Sequence, residues 1–203
     1  MHKSKFSKSF VILASMLFAT SAMAAHGNYS RGAEGDIAPT IQVPAAGSLE
    51  VAFSPNESSE ALVVKTINSA HKEIRVLAYS FTSVPVVEAL LQAKKRGVDI
   101  KVVADEKSNV DEDKSGKARA GLSALANAGV DVRVIHVYPI HHDKVIIVDA
   151  DTVELGSFNY SAAAAHKNSE NVLVNWHNPQ LANVYLGHFA RNYNQSQPYQ
   201  TRY

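Results

Sequence analysis

A chain of 203 residues with 46% hydrophobic residues can bury a core, but with no cysteine it excludes disulfides, thiolate catalysis and cysteine-held zinc. Twenty Lys and Arg against nineteen Asp and Glu give a net charge of +1, which excludes a surface that is basic overall. Any groove that attracts a polyanion must therefore be local.

The chain opens with Lys3, Lys5 and Lys8, then an apolar run from about Phe10 to Phe18, then Ser21-Ala22-Met23-Ala24. This order predicts a secretory signal peptide over residues 1–24, cleaved after Ala24, and a periplasmic or secreted product. The apolar run is too short to span a bilayer, and no stable membrane association is expected after cleavage. Its removal takes three lysines and no acids, so the net charge falls from +1 to −2. Residues 25–48 are rich in Gly, Pro, Ala and Ser without periodicity and predict a flexible or draped arm.

One domain is expected over residues 49–195. Leu49 to Phe53 reads as a strand, and Pro55 to Ser59 as a turn into a helix ending near His71. Ile74 to Phe81 reads as a buried strand. Pro85 to Arg96 reads as a helix with Val86, Leu90 and Ala93 at helical spacing, closed by Gly97. Two segments then share one local pattern, Gly97-Val98-Asp99-Ile100-Lys101-Val102 and Gly129-Val130-Asp131-Val132-Arg133-Val134. Between them lie a charged loop, Asp105 to Lys117, and a helix, Ala118 to Ala128. The alternation predicts an α/β fold, a mixed sheet flanked by helices on both faces. Farther on come a short helix at Ser161 to His166, a strand at Asn171 to Trp176 and an amphipathic helix at Pro179 to Tyr193. A polar, frayed tail is expected over residues 196–203.

The chemistry concentrates between His142 and Glu170. Val145 to Val148 is a β-branched run that reads as a strand, and Thr152 to Leu155 as its hairpin partner after a turn at Ala150-Asp151. Gly156 ends the hairpin where a backbone turn carries no Cβ penalty. His142 and Lys144 are two apart on an extended segment and face the same way. The hairpin carries Ser157 and Asn159 back towards them. A ring nitrogen, a cation, a hydroxyl and an amide on one side of a sheet suit a phosphate, with Lys144, Ser157 and Asn159 as its binding groups. Asp149, five residues past Lys144, is turned away by strand parity and reads as structural.

His142-x-Lys144-x4-Asp149-x6-Gly156-Ser157-x-Asn159 resembles the signature of the phospholipase D superfamily at every defined position. The chain from about Leu49 onward is similar to that superfamily's small single-motif nucleases, the plasmid-encoded periplasmic endonucleases of bacteria. The resemblance implies His142 as a nucleophile that forms a phosphohistidine, with Lys144 and Asn159 on the non-bridging oxygens and Ser157 assisting. It also places an acid at Glu170 to hold the other His142 nitrogen. It implies a DNA substrate, with RNA a further one, cleaved with little sequence preference. A phospholipase-type phosphodiesterase and a catalytically silent nucleic-acid binder are the alternatives.

No cofactor and no metal are expected. His141 and His142 are adjacent and point apart, His136 is remote, and no second carboxylate stands at useful spacing. Tyr138, Phe158 and Tyr160 flank the site as candidates to stack on bases or, equally, to pack in the core or at the rim. Displacement at phosphorus needs a nucleophile on one side and a proton donor on the other, and the chain offers one His142. A homodimer with a shared site answers this, with Phe158 and Tyr160 near the interface. The resemblance points the same way.

Overall fold

The computed structural model describes residues 38–201. The expected signal peptide, the first part of the expected arm and the last two residues lie outside the described residues. In chain order the elements are β1 (Ser48–Ser54), α1 (Ser59–Asn68), β2 (Glu73–Ala78), α2 (Val84–Lys95), β3 (Asp99–Asp105), a π-helical turn (Lys107–Asp111), α3 (Lys117–Asn127), β4 (Asp131–Ile135), β5 (Lys144–Val148), β6 (Thr152–Gly156), α4 (Ala162–His166), β7 (Glu170–Trp176), α5 (Pro179–Gln195) and β8 (Gln197–Pro198). The helix starts follow from capping chemistry. The Ser83 hydroxyl accepts from Val86 N ahead of α2, and Asn178 Oδ1 accepts from Leu181 N ahead of α5, each with a proline in the first turn.

All eight strands form one sheet in the order β1-β7-β6-β5-β2-β3-β4-β8. β2, β3 and β4 are parallel, joined by α2 and α3, and the other pairings are antiparallel. The two glycine-led segments are thus two crossover units. Alternating side chains split the core. Val76, Ala78, Ile146, Val148, Val172 and Val174 face α1, α2 and α4, whereas Leu77, Val103, Val145, Ile147 and Val153 face α5. The expected mixed sheet with helices on both faces is the fold observed.

Three local details differ from the sequence reading. The hairpin turn lies one residue earlier: Asp149 and Ala150 take φ of 53° and 54°, and Asp151 N donates to Val148 O at 3.0 Å. A two-residue hairpin turn needs positive φ at both central positions, and Asp tolerates it. Gly156 is required by close approach, since a Cβ there would lie 2.2 Å from Asn171 O. Through Thr201 the tail is not frayed. β8 pairs with β4, Arg133 Nε donates to Ser196 Oγ at 2.8 Å, and Tyr199 N donates to Val132 O at 2.9 Å. Polarity suggested a loose end, but β4 had an unpaired edge to satisfy. At the other end of the domain, Asn175 and Asn178 donate to the carbonyls of Ala46 and Pro44, which ties down the end of the arm.

Candidate active site

The carboxyl ends of β2, β3 and β4 share one edge of the sheet with the start of β5, the end of β6 and the start of β7. His142, Lys144, Ser157, Asn159 and Glu170 all fall on that edge. Ligands of open α/β sheets gather at strand carboxyl ends because the connecting loops there can be shaped freely.

His142 is exposed, and its ring centroid lies 4.5 Å from that of Tyr79. Lys144 is buried to 6% exposure, and its Nζ donates to the carbonyl of His142 at 2.8 Å and stands 5.1 Å above the same Tyr79 ring. Tyr79 therefore supports both groups and was missed in the sequence. It lies just past β2, and its N–H donates to Asp143 O at 2.9 Å. β2 itself ends at Ala78, short of the expected Phe81. Burial depresses the Lys144 ammonium, while the charges of Asp143 and Glu170 act to keep it protonated.

A second network fixes the strand from behind. Asp143 lies between His142 and Lys144, and His188 Nε2 donates to its carboxylate at 2.8 Å. Arg191 donates to His188 Nδ1 at 2.7 Å, which sets that tautomer. Burial alone would raise the Asp143 carboxyl; the His188 bond and nearby positive charge outweigh it, so the group sits below its usual range. His141 is buried, stacks against Tyr138, and its backbone N–H donates to Asp105 Oδ2 at 2.8 Å. Burial lowers its ring pKa. His136 is exposed and bonded to Glu106 at 2.8 Å, so His136, His141 and His142 do not converge.

Ser157 and Glu170 meet, but not as expected. Ser157 Oγ donates to Glu170 Oε2 at 2.6 Å and accepts from Asn171 N and Asn171 Nδ2 at 3.0 and 3.2 Å. Its single proton is committed, so Ser157 locks the hairpin to β7 and has no free O–H for a phosphate. The other Glu170 oxygen accepts from Asn168 Nδ2 at 2.9 Å. The bond from Glu170 to the His142 ring is not among those formed. Glu170 is taken up by its own strand and hairpin, while the His142 ring packs on Tyr79. Asn159 is half-buried, and its Oδ1 is buried without a hydrogen-bond partner.

Asp149 is the structural member of the motif. Its carboxylate accepts from the backbone N–H groups of His71, Lys72 and Glu73 at 2.9, 2.8 and 2.9 Å. It thereby ties the hairpin tip to the entry of β2. Phe158 and Tyr160 take the core alternative: both are fully buried in this chain's own core, which corrects the expectation that they stack on bases or lie at a partner interface. Hydrophobic burial on the helix-covered face took them, which spacing alone could not show.

The family model described as "Cardiolipin synthase, PLD-like domain" matches residues 63–193, more than half of the chain. The chain belongs to the phospholipase D superfamily. Its solved relatives in this superfamily include the crystal structure of a phospholipase D family member, Nuc from Salmonella typhimurium. That chain is 46% identical, with a TM-score of 0.72 over 75% of this chain and 98% of that one. NucT from Helicobacter pylori has a TM-score of 0.64 at 22% identity, a likeness of fold. Phospholipase D of Rickettsia conorii is 35% identical over 134 residues, 66% of this chain and 64% of that protein. Mitochondrial cardiolipin hydrolase of Danio rerio is 27% identical over 143 residues, 70% of this chain and 60% of that protein. The chain thus spans a little under two thirds of the length of these curated phospholipase D superfamily proteins.

Proposed function

We propose that this chain is a phosphodiesterase that cleaves DNA, and RNA as a further substrate, with little sequence preference. The observation that carries the reading is the pairing of an exposed His142 ring with an anchored, buried Lys144 over one aromatic floor, Tyr79. A ring nitrogen of His142 attacks phosphorus, and the bond to the leaving oxygen breaks as that oxygen takes a proton. Water then hydrolyses the phosphohistidine. Lys144 and the Asn159 amide stabilise the charge on the five-coordinate phosphorus.

Nucleic acid is favoured over a small headgroup by exposed cations on the segments of this edge. Lys114 and Lys117, on the segment that follows β3, and Lys167, after α4, are exposed and offer charge to a phosphate backbone, alongside the exposed Asp111 and Glu112 of the same segment. A lipid phosphodiester is the second reading. The exposed side chains of Val84, Val137 and Ile140 lie on the same edge, and relatives are named phospholipase D and cardiolipin hydrolase. Plasmid DNA, RNA and phosphatidylcholine vesicles are to be incubated in parallel with the purified protein. Turnover of the lipid alone would overturn the nucleic-acid reading. The charge at phosphorus is met by Lys144 and amide donors, so activity is expected to survive excess EDTA. Loss on chelation with recovery on added Mg²⁺ or Zn²⁺ would point to metal-assisted hydrolysis instead.

The proposed active form is a homodimer with one shared site. One His142 cannot both attack and protonate the leaving oxygen on the far side, and a two-fold axis supplies the second copy. The sheet offers a surface for this contact. α5 packs over β2, β4, β5 and β6, and beyond it Leu49, Val51 and Phe53 of β1 are 66%, 56% and 51% exposed. Phe53 lies opposite Asn171, which bonds Ser157, so this apolar strip runs up to the site. Val51→Asp should shift the protein to monomer in sedimentation and cut specific activity by at least about tenfold, as expected for a charge placed in an apolar interface. Full specific activity in a purely monomeric sample would remove the shared site.

A further inference from the structure

Glu154 is a charged residue type at a core position. It occupies the middle of β6 between Ile146 of β5 and Val174 of β7, and it is fully buried. The one hydrogen bond of its carboxyl among the described residues comes from the Tyr160 hydroxyl to Oε2 at 2.9 Å, and Oε1 has no partner. The neighbouring elements supply no counter-charge. α1 turns Leu62, Val63, Thr66 and Ile67 inward, and α4 turns Ala164 and Ala165 inward. On β5, the Lys144 ammonium is engaged by the His142 carbonyl. On β1, Glu50 is engaged by Lys65 and Trp176. A lone carboxylate in such a place is costly, and the neutral acid is the form that fits. Burial pushes the Glu154 carboxyl up to about 8, against the opposing pull of the Tyr160 hydrogen bond.

Tyr160 in turn sets the segment that carries Asn159. Its carbonyl accepts from both Thr82 N and Ser83 N at 2.8 Å, and its ring meets Phe81 edge-on at 6.1 Å. Asn159 directly precedes it, and Asn159 Oδ1 is a second buried acceptor without a partner. We infer that Glu154 is a positioning residue for Asn159: as the neutral acid it holds Tyr160, and Tyr160 fixes the backbone from which the Asn159 amide meets the phosphate. The inference rests on the phosphodiesterase reading given above. When Glu154 loses its proton, the segment has to open to bring water or donors to the carboxylate, and Asn159 moves with it. The sign follows: Glu154 is neutral below its raised pKa, so the loss comes on the alkaline side.

The test compares wild type with Glu154→Gln, which keeps the shape and is neutral at every pH. The kcat for bis(p-nitrophenyl) phosphate and the affinity for inorganic phosphate are measured from pH 6 to 10. Wild-type kcat should fall by at least about threefold as pH rises through about 8, and phosphate binding should weaken in step. Glu154→Gln should lack this additional fall. Lys144 and phosphate titrate in both proteins, so the difference isolates Glu154. Equal alkaline falls in both proteins overturn the inference. Should Glu154→Gln fail to fold, Tyr160→Phe decides: it should lower kcat severalfold near neutrality at nearly constant KM, and an unchanged kcat and pH profile overturn the inference. A wild-type protein without turnover would instead remove the phosphodiesterase reading, while the phosphate titration still decides the role of Glu154.

Discussion

His142→Asn is expected to abolish turnover, by roughly four orders of magnitude or more on the scale of lost covalent nucleophiles, with no loss of fold. The side chain is exposed and its ring contact is with Tyr79, so the core does not depend on it. Asn matches part of the imidazole shape, but its amide nitrogen cannot attack phosphorus. The backbone carbonyl that holds Lys144 is untouched by the change, so the cation should stay in place. Phosphate affinity is therefore expected to fall far less than kcat. Mixing adds a second readout. If two copies of His142 share one site, dimers of one wild-type and one His142→Asn chain should lose most activity, whereas independent sites would keep about half. Near-normal activity of the pure variant would remove His142 as nucleophile.

Asp149→Ala should give the largest loss of stability, roughly 2–4 kcal/mol in urea unfolding. The change strips three backbone N–H groups of their charged acceptor and places Ala at positive φ. Asp149→Asn, which tolerates the left-handed region and keeps one acceptor oxygen, should lose about half as much. The three amides outweigh burial and hold the Asp149 carboxyl below its ordinary value. A depressed acid stabilises the fold above its unfolded pKa and loses that contribution as pH falls through the folded one. The gap between wild type and Asp149→Ala should therefore close in strong acid and stay open at neutral pH. Where both proteins are folded, kcat should be nearly unchanged. A stability loss within about 0.5 kcal/mol, the level of ordinary surface changes, would contradict this role.

The hairpin was legible because its information is local. His142, Lys144, Asp149, Ser157 and Asn159 sit at fixed spacing on two strands joined by a short turn, and parity alone turned Asp149 away from the site. The two crossover units were legible for the same reason. Tyr79 was not, because its contacts with His142 and Lys144 depend on the register that sets Ala78 opposite Lys144. The sequence named Ser157 and Glu170, yet it could not show that they would spend their hydrogen bonds on each other. Phe158 and Tyr160 alternate with site residues, and their burial depends on where α1 and α4 pack. Glu154 left a signal that went unread: an acid in mid-strand on the face shared with Ile146. The tail misled because a short polar segment gains order from the open edge it meets.

β2 stands in the sheet between β5, the motif strand, and β3, the first strand that follows it in the chain order of crossovers. A truncated gene that began after Tyr79 would still encode every letter of the motif from His142 to Asn159. Its product would lack the strand that joins the two halves of the sheet, the amides that hold Asp149, and the ring beneath Lys144. An intact motif in such a fragment is therefore a fossil rather than an enzyme, and a survey of genomes that counts functional copies by this motif should also require the strand and its tyrosine.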